Sequence, residues 1–497
     1  MRQTTSAPDS VATPGGAVAD AAGRAPESPF APGLTKSDVR RILTGVMLAL
    51  FLAALDQTIV VTALPTIAAE LGGGGLSWIV TAYILSATTT ALLYGRFSDT
   101  HGRRPALLLG VALFTLGSVA CALAQTMPQL IAARALQGVG AGALVAIPMT
   151  VMGDMISPRA RGKYQGYVAT VYATSSLAGP ALGGVIADFL HWSVIFWINV
   201  PLAALALFIA VPLMGKLPRN QRNSPLDLPG AALVCITTAS FLLMLSWSGP
   251  EYGWLSPASF ALLALSIGSG ALARRHFFRA SDPLIPMTVL QSSVVSNAIL
   301  SSFFGFGAFI GLCVMAPLYF ELARGYSPTA SGIAVIPLMV STVVGAMLAG
   351  QAMGRIRHYK RPPMFGLALA IAMCAFLAAA FPLLPDLVFS LFLGAISFGI
   401  GTTLPVITVA VQNAVPSHEM GVATASTSFF RQLGAALMVA LFGALTVGSV
   451  ELGVVAQDLD GILSGYRMVF AAAALSAAIS LFFFSRMEEL PLRTASK

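Results

Sequence analysis

The sequence predicts an all-α integral membrane protein with 14 transmembrane helices, and three observations carry that prediction. The 497 residues are 56% hydrophobic and only 10% charged, against about 25% charged in soluble domains. Fourteen apolar runs approach the roughly 20 residues a helix needs to cross the hydrocarbon core. They lie near 42–64, 78–97, 105–124, 129–153, 163–188, 193–213, 228–247, 257–273, 296–322, 330–350, 364–383, 387–411, 421–449 and 467–486. The basic residues also sort by side. Of 28 Lys and Arg, all but Arg134, Arg324, Arg431 and Arg467 fall in the two tails or in alternate turns. That bias places those turns, and both termini, in the cytoplasm.

The net charge of +8 is therefore a topology signal, and no nucleic-acid partner is expected. Residues 1–40 read as a disordered cytoplasmic tail, because 1–37 are rich in Ala, Pro, Gly and Ser without an apolar core segment. Nothing there has the apolar stretch of a cleavable signal. Cys121, Cys235, Cys313 and Cys374 sit singly in separate spans. They read as small apolar side chains, with no metal and no resident cofactor expected.

The turns justify each span in order. Inward turns carry Arg159, Arg161 and Lys163, then Lys216, Arg219 and Arg222, then Arg274, Arg275 and Arg279. Outward turns carry Glu70, Asp188, Glu251, Asp386, Glu451, Asp458 and Asp460. Dropping any single span would put a basic cluster outside.

One inward turn is repeated. GRFSDTHGRRP, Gly95–Pro105, follows the second span; GQAMGRIRHYKRP, Gly350–Pro362, follows the tenth. The second copy has Gly354 where the first has Asp99, and two added residues. Two equal halves would place the copy after span eight, so two spans are surplus. The expected organisation is a six-helix bundle at 41–213, two extra helices with their loops at 214–295, a second six-helix bundle at 296–486 and a cytoplasmic tail at 487–497. Repeated halves place a site between them near the midplane.

Polar groups inside apolar spans mark the candidate site. Asp56 lies deep in the first span, and an intramembrane carboxylate is costly enough to suggest function; structural pairing is the alternative. Pro65 is expected to end or kink that helix. Arg134 is a cation in the fourth span. Asp56 is fifteen residues past Arg41, about 22 Å from the inner surface, which leaves about 8 Å of a ~30 Å core. Arg134 is five residues from the outer end of its span, again about 8 Å in. The two are expected to meet. Gly138 and Gly142 form a small-residue packing face. Gly179, Pro180, Gly183 and Gly184 in the fifth span suggest a bendable helix where halves meet. Gly95, Asp99, Gly102, Arg103 and Arg104 make the first inward turn, with Asp154 at the same surface. Asp99, Arg103 and Asp154 are expected to form one charge network.

Further candidates are weighed against structural roles. His191, beside Trp192, reads as an interfacial anchor. Glu321 and Arg324 have the i, i+3 spacing of a local ion pair; Glu321 also qualifies as a cavity carboxylate. Arg431 lies about ten residues into its span without an obvious partner. Arg355, Arg357, Lys360 and Arg361 read as topology and lipid-contact residues.

Gly95–Pro105 resembles the loop signature of the major facilitator superfamily, G-x-L-A-D-R-x-G-R-R, with Phe97, Ser98 and Thr100 departing from it. SSLAGPALGG, Ser175–Gly184, resembles the superfamily's antiporter motif, with Ser175 in place of its first Gly. Together with the span number, these stretches resemble the fourteen-span drug:proton antiporter branch, the EmrB/QacA-like group. The resemblance implies the major facilitator fold and no enzymatic activity. It implies proton-coupled efflux of hydrophobic, often cationic compounds by alternating access, from a plasma or inner membrane. Protons are then the coupling ion, with Asp56 and Arg134 the coupling pair. Cavity candidates are Trp78, Tyr83, Tyr172, Phe303, Phe306, Tyr319, Glu321, Phe430 and Arg431, since aromatic faces attract organic cations. Expected partners are a small-molecule substrate, membrane lipids and a periplasmic adaptor, with the monomer functional. The alternative is a narrow exporter of one metabolite, antibiotic, siderophore or lipid.

Overall fold

The structure is a computed structural model that describes residues 30–72, 76–217, 227–247, 255–356, 358–380, 384–447 and 459–492. Among them the chain is helical, with one isolated antiparallel bridge between Phe30 and Ile156. The first half comprises α1 (Lys36–Leu71), α2 (Leu76–His101), α3 (Arg103–Ala122), α4 (Met127–Met155), α5 (Pro158–Phe189), α6 (Val194–Trp197) and α7 (Asn199–Met214). Two helices follow, α8 (Leu228–Trp247) and α9 (Pro257–Arg279). The second half comprises α10 (Met287–Gln291), α11 (Ser293–Leu322), α12 (Pro328–Ala334), α13 (Ile336–Met353), α14 (Arg361–Ala380), α15 (Asp386–Gly401), α16 (Thr403–Ala414), α17 (Met420–Val447) and α18 (Leu459–Arg486).

Helices satisfy their backbone internally, which a bilayer demands. Thirteen described segments are long and apolar enough to cross one. The expected fifth span is not among the thirteen. It is the continuous 32-residue helix α5, whose Gly, Ser and Thr residues dilute its hydropathy.

Helices within each half pack closely. The predicted small-residue face of α4 holds: Gly138 abuts the backbone of Tyr83, and Gly142 abuts Thr90 and Ala91, so a side chain at either would collide with α2. The halves meet along two seams, α2 with α17 and α5 with α13. The extra pair, α8 and α9, pack on each other and lean on α2 and α17. Leu92, Ala231, Val234, Phe277, Ala425 and Phe429 form one apolar cluster there.

Several expectations need correction. The described part of the N-terminal tail, from Phe30, is folded. Ala31 donates to Met155 O at 2.9 Å, and Ala31 and Leu34 are buried. Thr35 and Asp38 then cap α1 reciprocally. Residues 1–29 lie outside the described chain, as do Arg219, Arg222, Glu251, Arg357, Glu451, Asp458, Arg493 and Lys497. Pro65 does not end α1, which runs on to Leu71, and α5 is likewise continuous through Pro180. The C-terminal segment is docked: Met487 is buried, and Tyr359 Oη and Asn413 Nδ2 donate to Leu490 O and Pro491 O.

Candidate functional site

Two polar centres lie at different depths in the first half. The shallower one sits at the face that carries the basic turns. Gly102 joins α2 to α3 at φ +96°, a backbone conformation that favours glycine. The tight turn returns Arg103 over its own acid. Arg103 Nη1 donates to Asp99 Oδ1 at 2.5 Å and to Ser98 Oγ at 2.7 Å. Its Nε donates to Asp154 Oδ2 at 2.7 Å. The expected three-residue network therefore forms. Arg104 is exposed and takes no part in it.

The network extends across the seam between halves. Asp99 accepts from the backbone N–H groups of Gly421 (3.1 Å) and Val422 (2.9 Å). These belong to the first turn of α17, where N–H groups lack intrahelical partners and the helix dipole favours an anion. Gly421 lies so close to the Asp99 carboxylate that a side chain there would clash, and Gly95 abuts Gly421 and Ala425. A second clasp joins the same face. Arg161 Nη1 donates to Gln412 Oε1 at 2.7 Å, and Gln412 Nε2 donates to Met149 O at 3.2 Å. Sequence reasoning missed Gln412 and the α17 N–H groups, which carry no charge to flag them.

The deeper centre is the pair predicted from depth. Arg134 Nη1 donates to Asp56 Oδ2 at 2.5 Å, with Asp56 0% and Arg134 1% exposed. Asp56 Oδ1 accepts from Gln137 Nε2 and Asn199 Nδ2, both at 2.8 Å. Ser118 Oγ accepts from the same two amides at 3.2 and 2.9 Å. Arg134 also donates to Ile79 O and Gln137 Oε1, and its guanidinium lies 4.1 Å from the Tyr83 ring centre. This centre is closed and fully hydrogen-bonded. Gln137 stands at i+3 from Arg134, a spacing that could have flagged it; Asn199 offered no signal.

Comparison with known proteins identifies this architecture. The sequence profile of the Major Facilitator Superfamily matches residues 46–439. The chain belongs to the major facilitator superfamily. An uncharacterized MFS-type transporter of Mycobacterium tuberculosis is 35% identical over 435 residues, covering 86% of this chain and 62% of that protein. This chain thus spans about three-fifths of that relative's length. The multidrug transporter protein MdtP of Bacillus subtilis is 32% identical over 412 residues, covering 81% of this chain and 74% of that protein. The solved proton:xylose symporter XylE superposes with a TM-score of 0.61 at 16% identity, covering 90% of this chain and 95% of that one. At that identity the likeness concerns the fold alone.

The superfamily is one of membrane transporters, not enzymes, and the remaining candidates can be placed in that frame. Gly179 and Gly183 lie against Thr58, Ile59 and Thr62 of α1, and Thr58 Oγ1 donates to Ser175 O at 3.1 Å. The small-residue face of α5 therefore packs within its own half. Gly184 meets nothing within 4 Å, and the Pro180 side chain lies outside the description. At the seam, α5 instead brings Gly162 against Gly350 and Gly166 against Met347.

Among the cavity candidates, Tyr319 belongs to the hydrophobic core, 1% exposed among Phe320, Phe389 and Tyr466. Trp78 packs edge-on against Trp247 of α8, on the extra-pair side of α2. Tyr83 covers Arg134. Phe303 and Phe430 are half-buried beside Phe304 and Phe429. Glu321 does not pair with Arg324. Glu321 accepts from Ser331 Oγ at 2.7 Å, while Arg324 pairs with Asp386 at 3.0 Å, sixty-odd positions away in sequence. Arg431 lies 5.1 Å from the Phe306 ring centre and within electrostatic reach of Tyr172. Arg431 and Phe306 belong to α17 and α11 of the second half, and Tyr172 to α5 of the first.

At the opposite face, Trp192 Nε1 and His191 Nε2 reach Glu70 at 2.6 and 3.1 Å. Those bonds, His191's first, hold the exposed Glu70 carboxyl below its usual range. Trp192 is buried in a core cluster rather than placed at a lipid interface.

Proposed function

We propose that this chain is a proton-coupled exporter of hydrophobic organic compounds. It belongs, in this reading, to the fourteen-span antiporter branch, sits in the plasma or inner membrane with both termini cytoplasmic, and works as a monomer without a resident cofactor. The observation that carries the reading is the closed Asp56–Arg134 pair inside the membrane-spanning helices α1 and α4. Such groups are costly in hydrocarbon and mark coupling sites. A relative named as a multidrug transporter supports the cargo class.

Asp56 is assigned as the proton carrier and Arg134 as its partner. Burial penalises a charged carboxylate, and a nearby guanidinium favours it. A conformational change that moves α4 relative to α1 would therefore take up or release a proton. Protonating Asp56 would leave Arg134 as an uncompensated buried charge, a costly state. That cost ties protonation to rearrangement. The clasps at the basic face hold the halves together there, the arrangement expected of an outward-facing state in alternating access. The expectation of cationic cargo gains no support from the site, because Asp56 is enclosed and Glu321 is held by Ser331.

Asp56→Asn in proteoliposomes tests the assignment. The expected protein is folded and binds cargo, but a pH gradient no longer drives uphill export. If the variant still concentrates cargo from that gradient alone, Asp56 is not the carrier.

A further inference from the structure

We infer that the cargo carries an anionic group, a carboxylate or similar oxyanion on an apolar aromatic body, and that Arg431 binds it. The inference deepens the export reading and rests on its assumption that cargo passes between the two halves.

Depth is the first argument. Val422 of α17 is tied to the gate by Asp99, and Arg431 is nine residues further on, about 14 Å at 1.5 Å per residue. On α5, Arg161 is tied to Gln412 at the same face, and Tyr172 is eleven residues further, about 16 Å. Both reach the middle of a ~30 Å core. Arg431, in contact with Phe306, thus lies at half depth, and Tyr172 of the other half lies at the same level, where transporters of repeated halves bind cargo.

The second argument is valence. Arg431 Nε is buried and lacks a hydrogen-bond partner. Among the described residues no carboxylate pairs with Arg431, whereas Arg96, Arg103, Arg134 and Arg324 each have one. The side chain is half-buried, not sealed. An intramembrane guanidinium without its own counter-ion is expensive. Its planar fork matches an oxyanion bidentately. Phe306 supplies aromatic surface beside it, which suits an apolar body attached to that anion.

The third argument removes the competing charge. Asp56, the nearest intramembrane acid in kind, is 0% exposed and already accepts from Arg134, Gln137 and Asn199. An organic cation finds no free acid there, while an organic anion finds Arg431.

The test uses the full-length protein in nanodiscs and binding alone, so it does not depend on proton coupling or flux. A fluorescent panel of aromatic carboxylates, their methyl esters and their trimethylammonium analogues is titrated, with 1-pyrenebutyrate as the lead probe. Wild type should bind the acids about ten-fold or more tighter than the esters, the scale of one charge-assisted contact. Arg431→Gln should erase that preference and leave ester affinity within about two-fold, and Arg431→Lys should keep part of it. Discs with and without phosphatidylglycerol separate the sources of the anion. Competition by that lipid, dependent on Arg431, would identify a headgroup phosphate as ligand and support the same oxyanion chemistry. No preference for acids across the panel overturns the inference. Equal loss of acid and ester binding in Arg431→Gln, with the protein monodisperse, also overturns it and makes Arg431 a structural residue. A wild type that prefers the acids but exports none of them from proteoliposomes would sink the export reading and leave the binding site standing.

Discussion

The two basic turns, Gly95–Pro105 and Gly350–Pro362, began as copies and now fasten different things. In the first, Asp99 spends one face on Arg103 and the other on the N–H groups of Gly421 and Val422 in the opposite half. In the second, Gly354 has no carboxylate to offer, and across the seam its carbonyl only accepts a long bond from Arg159 Nε at 3.4 Å. Its working residue is Lys360, whose Nζ donates to Ser485 O at 2.9 Å and also to Met487 O, within the same half. Lys360 N and His358 Nδ1 meet Glu489 at 3.1 and 3.3 Å. Lys360 thus caps the end of α18, a familiar use of a cation, and is not the lipid-facing residue expected of it. A bond between halves must break for the halves to rock; a bond within one half need not. In the proposed export cycle the Asp99 bonds would have to break, and the Lys360 bonds would not.

The largest effect should come from Asp99→Asn. It removes the charge that two helix N–H groups and Arg103 all address, so export should fall at least about ten-fold. Spin labels on α2 and α17 at the basic face should report longer distances. Wild-type transport in this variant would erase the distinction between the turns. Asp154→Asn keeps the bonds across the seam and removes only one partner of Arg103, so a loss of about three-fold is expected, read in the same assay.

The Lys360 bonds should act on stability instead. Lys360→Met should lower the melting temperature by about 2–4 °C while export stays within about two-fold. Export falling as far as in Asp99→Asn would show that the second turn gates too. Arg355→Gln, at an exposed position, should move neither readout, since exposed changes away from such contacts stay within about 0.5 kcal/mol.

The smallest effect concerns the tether of the extra helices. Burial alone would raise the Asp227 carboxyl, but N–H groups of Gly230 and Leu284, with the His276 side chain, hold it below its ordinary value. A depressed carboxylate contributes stability that is complete about a pH unit above the unfolded pKa of about 4 and is lost as pH falls through the folded value. The melting-temperature gap between wild type and Asp227→Asn should therefore be constant above about pH 5 and shrink below about pH 4. A gap that widens on acidification would contradict the sign.

Much of this was legible in sequence because charge is expensive in hydrocarbon and cannot be placed casually. The spans, the Asp99–Arg103–Asp154 network and the meeting of Asp56 with Arg134 all follow from where charges were tolerated. The neutral partners escaped for the same reason. Gln137, Asn199 and Gln412 are cheap enough to occur anywhere, and only Gln137, three residues past Arg134, had a position that hinted at a role. Local spacing misled at Glu321 and Arg324, because a nearer neighbour in sequence lost to Asp386 in space. The glycines of α5 were assigned to the seam between halves, yet small residues serve any close approach, and these serve α1. The segment before Lys36 looked structureless by composition, but Phe30 and Ala31 pair with the backbone at the end of α4, and Leu34 is buried.

The placement of α8 and α9 gives the transporter a handedness toward its lipids. One seam, α2 with α17, is plastered over by the extra pair through Leu92, Phe277 and Phe429. The other, α5 with α13, runs beside bare aliphatic side chains: Val340, Val344 and Leu348 are 45%, 42% and 52% exposed. A molecule dissolved in the acyl chains thus meets a shuttered flank on one side and an unshuttered one on the other. Photo-crosslinking from position 348 should depend on whether the halves are together or apart, and crosslinking from position 231 should not. Among the described residues, the α5–α13 flank is the seam left uncovered for side entry of the cargo proposed above.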